Sequence, residues 1–208
     1  MDSVTVPARG RIDKQQAILD AAFVVFGRTG YAQTRMDRIA AEAGVAKATV
    51  YSHFGDKEQV FRAAVRSLSE AALAANLAVL DRLTEPGPDL AATLRDIGGA
   101  LLRCYCSAES RALRRLLCAE AGQFPDLLDI ADGVSDRVGR ALADRLARFA
   151  VAGVLRIGEP DIAAAHWAAL LTASLRSRHR FGDESPSERE LDRAVDAAVR
   201  TFLAAYGV

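Results

Sequence analysis

Lys47, Thr49, Tyr51 and His53 fall at every second position within "AGVAKATVYSHF", residues 43–54, and Lys57 follows four residues later. These side chains suit recognition of a polyanion better than bond-making. Ammonium groups, a phenol and an imidazole can hold phosphates, while the short hydroxyl and methyl of Thr49 suit a base edge or a thymine methyl. By reach, Lys47 and Thr49 are expected to set sequence choice, and Tyr51, His53 and Lys57 to supply affinity through phosphates. Lys57 falls in the first turn of an expected helix, where a phosphate would gain both its charge and the helix dipole. Arg35, twelve positions before Lys47, could make either kind of contact.

Other chemistry does not assemble. Cys104 and Cys106 are two apart, on nearly opposite faces of a helix, which is poor metal geometry. Cys118 could approach the face of Cys104, but no fourth ligand stands at a recognisable spacing. A thiol sensor would need an exposed cysteine of low pKa, and neither property can be read from sequence. The carboxylates form no identifiable acid–base pair, and Gly98, Gly99, Gly122 and Gly133 form no phosphate-binding loop. The chain reads as a non-enzyme with no cofactor and no metal.

The elements that must position the first group are helices. Apolar residues recur at three and four with no convincing period-two run, so the expected fold is all-α with about nine helices. Asp13 and Gln16 are spaced as a capping box for a first helix with Ile18, Ala22 and Phe26 on one stripe; Thr34 and Asp37 have the same spacing for a second. Gly44 supplies a left-handed residue after that helix. The third helix runs from about Lys47 to His53, and Asp56 is placed to cap a long fourth. Further helices are expected over 89–105, 107–121, 125–150, 160–179 and 187–206, separated at "TEPGPD", "RIGEPD" and "RFGDESPS". Two domains result: residues 9–55, three helices with a helix-turn-helix, and residues 56–208, a larger helical bundle.

Composition constrains without deciding. The 208 residues are half hydrophobic, and 27 Lys and Arg balance 27 Asp and Glu, so net charge does not point to nucleic acid. From Arg9 to Lys57 there are eight basic residues (Arg9, Arg11, Lys14, Arg28, Arg35, Arg38, Lys47, Lys57) against five acidic ones (Asp13, Asp20, Asp37, Glu42, Asp56). Three cysteines form no disulfide framework and fit a reducing compartment. With no apolar signal core at the N-terminus and no later apolar run long enough to span a bilayer, a cytoplasmic protein with no membrane partner is expected.

On the residues alone two readings of the corner stay open. Short helix-turn-helix corners occur in all-α proteins that never meet DNA, and Tyr51 could be a half-buried packing residue and His53 a solvated helix end.

Residues 18–65, "ILDAAFVVFGRTGYAQTRMDRIAAEAGVAKATVYSHFGDKEQVFRAAV", resemble the N-terminal domain of the TetR family of bacterial transcriptional regulators. The likeness rests on Ile18, Leu19, Ala21, Ala22, Phe26, Gly30, Tyr31, Thr34, Ile39, Ala40, Ala43, Gly44, Val45, Lys47, Thr49, Val50, Tyr51, Phe54, Lys57 and Phe61. It implies Thr49 and Tyr51 at DNA on the recognition helix, and Tyr51, His53 and Lys57 at phosphates. Ala46 departs from the usual Ser or Thr and cannot cap the third helix, a loss of about 1 kcal/mol. Ala48 stands where Gly is frequent, and Arg35 where a small hydroxyl residue is common.

The resemblance further implies a homodimer on double-stranded DNA, whose two-fold axis would space half-sites about 34–36 Å apart or a multiple of that, and a small-molecule effector, most often releasing a repressor. The expected dimer surface comprises Trp167, Leu170, Leu171, Ser174 and the stripe Leu191, Val195, Val199 and Phe202; periodicity alone equally allows both stripes to lie within the monomer. Cys104, Tyr105, Phe124, Trp167 and His179 are candidate pocket residues. The rival readings are an all-helical small-molecule-binding protein or enzyme whose head no longer binds DNA, and a dimerising protein with no ligand.

Overall fold

The computed structural model describes residues 8–85, 89–179 and 185–208, with the backbone alone for 8–12 and 176–179. Parts of "TEPGPD" and "RFGDESPS" and the side chains of Arg9 and Arg11 thus lie outside the described residues. Within them the chain is all-α: α1 (Ala8–Gln33), α2 (Met36–Glu42), α3 (Lys47–Phe54), α4 (Lys57–Leu80), α5 (Leu90–Cys106), α6 (Ala108–Glu120), α7 (Asp126–Val151), α8 (Pro160–His179) and α9 (Glu188–Tyr206).

The chain divides into two compact units, one of residues up to Ser69 with Ala112–Ile130, the other of Glu70–Arg111 with Ala131–Val208. The expected division after residue 55 is not where the packing separates. Phe61 of α4 and Phe124 before α7 join Tyr31 and Phe26, with ring centroids 4.8 Å apart for Phe26–Phe61, 4.7 Å for Tyr31–Phe124 and 5.1 Å for Phe61–Phe124. Periodicity along α4 marks an apolar stripe but not which core each part of it joins.

In the first unit Ile18, Ala22 and Phe26 are fully buried, as the stripe requires. Two expected caps are corrected. α1 begins at Ala8, so Asp13 lies inside it and does not start it. Thr34 is buried and closes the end of α1: its hydroxyl donates to the Gly30 carbonyl at 2.7 Å and shares a 2.8 Å hydrogen bond with Thr29 Oγ1. Arg35 therefore occupies the cap position of α2, with no side-chain cap. Gly30 interrupts α1 at φ 71° and ψ 169°, a conformation accessible to glycine and costly with a Cβ.

The turn after α2 follows from Gly44. At φ 65° it lets its own N–H reach Ala41 O at 3.2 Å and the Val45 N–H reach Ala40 O at 3.0 Å, the double bond of a Schellman turn. α3 starts at Ala46 without a side-chain cap, whereas Asp56 Oδ1 accepts from the Gln59 N–H at 2.8 Å and caps α4.

In the second unit α5, α8 and α9 share one core of Leu94, Ile97, Trp167, Leu171, Val195 and Phe202 with their neighbours. Trp167 meets Phe202 edge-on at 5.0 Å. α9 opens with a full capping box between Ser187 and Glu190. α4 alone among the described helices is long and apolar enough to cross a bilayer. Its Val60, Phe61, Ala64, Val65, Leu73 and Leu80 are buried in the protein.

Candidate nucleic-acid interface

α3 turns one face inward and the other to solvent. α2 and α3 pack together, Ile39 of α2 and Val50 of α3 are both fully buried, and Val45 between them is half-buried. This apolar hinge fixes α3 against α2 although Ala46 gives the helix no cap. On the outer side Lys47 and Tyr51 are exposed, while Thr49 and His53 are half-buried. Tyr51, at 44% exposure, is a large aromatic held in water rather than in the core.

The Asp37 carboxylate meets two of the candidate cations. Lys47 Nζ lies 2.6 Å from Asp37 Oδ1, and Arg35 Nη2 lies 3.5 Å from Asp37 Oδ2. Lys47 Nζ is also 5.8 Å from the centroid of the Tyr51 ring, within cation–π range. The hydrogen bond from Lys47 holds the Asp37 carboxyl below its ordinary range and raises the Lys47 ammonium above its own. Sequence spacing paired Asp37 with Thr34 as a cap; its charge instead serves the cations at the edge of α3.

Lys57 has a second attachment that sequence did not predict. Half-buried, its ammonium donates to Tyr31 O at 3.0 Å and Ala32 O at 3.4 Å, and lies 4.3 Å from the Tyr31 ring centroid. An ammonium has three donors, so one is left for a phosphate. Ser52, also missed, is exposed beside Tyr51, and its hydroxyl donates to Thr49 O at 2.9 Å. Arg28 and Arg38, never singled out in sequence, line an open groove of about 370 Å³ along α1 and α2 with Val25, Thr29, Ala41 and Glu42.

The remaining candidates scatter. Cys104 and Tyr105 are half-buried on α5, and Trp167 is buried in the core of the second unit. Phe124 is buried in the aromatic cluster of the first unit, with Tyr31 and Phe61. The side chain of His179 lies outside the described residues. Burial pushes the Cys104 thiol up, the opposite of what a thiolate sensor requires. Among the described residues no three His, Cys, Asp or Glu side chains are grouped to hold a metal ion.

The expected dimer surface is corrected residue by residue. Trp167, Leu171, Leu191, Val195, Val199 and Phe202 are all buried in the core of the single chain. Each stripe is consumed by α5 and by the other helix of the pair, which a helical period cannot distinguish from an intersubunit seam. Only Leu170, half-buried, and Ser174, exposed, remain accessible from that set.

Comparison with known proteins agrees with this arrangement. Residues 18–64 match the family described as bacterial regulatory proteins, tetR family, and residues 92–208 match the C-terminal domain described for AefR-like transcriptional repressors. A TetR-family transcriptional regulator from Mesorhizobium loti is 32% identical, with 95% of this chain and 98% of that one covered at a TM-score of 0.87. The flavonoid-responsive regulator FrrA is 27% identical over 94% of this chain and 97% of its own, with a TM-score of 0.71. The HTH-type regulator YezE of Bacillus subtilis is 35% identical over 80 residues, 38% of this chain and 39% of that relative. BetI of Agrobacterium fabrum is 34% identical over 50% of this chain and 56% of its own length. Both halves of the sequence match, and a helix-turn-helix presents cations and a phenol to solvent: the chain belongs to the TetR family of bacterial transcriptional regulators.

Proposed function

We propose that the protein is a ligand-responsive repressor, cytoplasmic and homodimeric, that binds a palindromic operator and is released by a small molecule. The observation that carries this reading is α3 itself. Val50 locks it to α2, while Lys47, Tyr51 and the half-buried Thr49 and His53 occupy the side left free. That division of faces is what a helix entering a major groove needs. Lys47 and Thr49 read bases; Arg35, Tyr51, His53 and the remaining donor of Lys57 hold phosphates.

One three-helix head spans only a few base pairs, so two heads on a two-fold axis supply a usable site. The accessible side of α8 and α9, with Leu170 and Ser174 from the expected set, is the natural pairing surface. Effector response draws support from the relatives: one is named flavonoid-responsive, and the C-terminal match is to repressors. A ligand acts by binding one disposition of the heads better than the other.

Selection of sites from random duplex DNA by the purified protein tests the reading. A palindromic motif bound with steep salt dependence is the expected result. Failure to enrich any motif, or unchanged operator binding in Tyr51→Phe with Lys57→Ala, would overturn it.

A further inference from the structure

Asp37 is an anomaly on a surface meant for DNA: a carboxylate among the groups assigned to phosphates and bases. It stands in the first turn of α2, where a negative charge is favoured by the helix dipole. Its two oxygens nevertheless reach outward to different elements. Oδ1 takes Lys47 Nζ, on the first residue of α3, at 2.6 Å, and Oδ2 faces Arg35 Nη2, just before α2, at 3.5 Å. Both cations are more than half exposed, so neither is held by burial. The carboxylate is what keeps the Lys47 ammonium at the α2–α3 edge.

An unrestrained lysine is a flexible point charge that can follow any nearby phosphate, and such attraction is independent of sequence. A lysine paired with a carboxylate 2.6 Å away must give up that partner before it can take a phosphate. It can exchange that partner for a base acceptor of matching geometry more readily than for a phosphate beside a second negative charge. The same bond fastens the first residue of α3 to α2, where Ala46 provides no cap.

We infer that Asp37 is a positioning residue that sets the specificity of operator recognition by holding Lys47 away from non-specific phosphate contacts. The inference rests on the DNA-binding reading above. Asp37 touches no DNA itself and acts through Lys47, with a smaller pull on Arg35. Asp37→Asn preserves shape but removes the charge, and releases Lys47 to the backbone.

The test measures binding of the full-length protein to its selected operator and to a random duplex of equal length, over a series of salt concentrations. For Asp37→Asn, random-duplex affinity is expected to rise. The slope of log affinity against log salt should steepen by about one phosphate contact, ~0.9. The ratio of operator to random affinity should fall about tenfold. Asp37→Glu, which keeps the charge, should restore most of that ratio, and Lys47→Ala should abolish the effect of Asp37→Asn. Thermal unfolding checks that each variant is folded, since a loss of structure alone would weaken both duplexes and leave the salt slope no steeper. An unchanged ratio, or an effect of Asp37→Asn that persists in the Lys47→Ala background, overturns the role of Asp37 while leaving DNA binding intact. A wild-type protein that selects no operator overturns both.

Discussion

Glu120, at the end of α6, accepts a 2.8 Å hydrogen bond from the Tyr31 backbone N–H through Oε1, at the Gly30 break in α1. The two residues are 89 positions apart in sequence, and both belong to the first compact unit. Arg62 reinforces the closure: it pairs with Glu58 on its own helix α4 and with Asp126 of α7, and lies 5.2 Å from the Phe124 ring centroid.

Removing the Glu120 acceptor leaves a partly buried N–H unpaired. Glu120→Leu is expected to cost about 1–3 kcal/mol, read as a lower midpoint in urea with an unchanged slope. Gly30→Ala strains the same place by a different route, because a Cβ there adopts φ 71° and meets Glu120 Oε1 at 3.3 Å. A variant at either position with wild-type stability would mean that this closure carries no weight.

Lys57 has two assigned tasks, and they separate by measurement. Lys57→Met retains an apolar stem but loses the bonds to Tyr31 O and Ala32 O. Stability should fall by about 1 kcal/mol, and the salt slope of operator binding should become shallower by about 0.9. Loss of stability with an unaltered slope would remove Lys57 from the DNA contacts.

Gly98 sits where α5 meets α8. A Cβ at this position would lie 3.0 Å from Trp167 Cζ2 and 3.2 Å from Leu171 Cδ2. Both neighbours are buried, so Gly98→Ala forces the packing apart and is expected to cost about 1–3 kcal/mol. Gly139→Ala, also inside a helix and with open space around its Cβ, is the matched control. Equal melting temperatures for the two would contradict the tight packing.

Acid should loosen the Arg62 attachment. The Arg62 guanidinium holds the Asp126 carboxyl below its ordinary range. A carboxyl with a folded pKa below its unfolded value stabilises the fold above the unfolded pKa and loses that contribution as pH falls through the folded one. The contribution is therefore complete above about pH 4 and declines below it. Unfolding of wild type and Asp126→Asn should differ most near neutrality and converge in stronger acid. A difference that is constant across that range would exclude the ionic term.

Sequence alone determined the helices, their order and the residues of the corner. Helical period, Gly44 after α2 and Asp56 before α4 are local signals, because a turn or cap needs only residues within a few positions. The outward placing of Lys47 and Tyr51 followed from the inward placing of Val50 by the same local rule. Tertiary structure alone decided what each apolar stripe faces. The Trp167 and Phe202 stripes match a dimer seam and a monomer core equally well by period, and partners distant in sequence bury them in the core. It also decided where charges and hydroxyls are spent: Thr34 on Gly30 O, Lys57 on the end of α1, and Asp37 on Lys47 rather than on a cap. A side chain's hydrogen-bond partner depends on which backbone groups the fold brings within 3 Å, and spacing along the chain does not encode that distance.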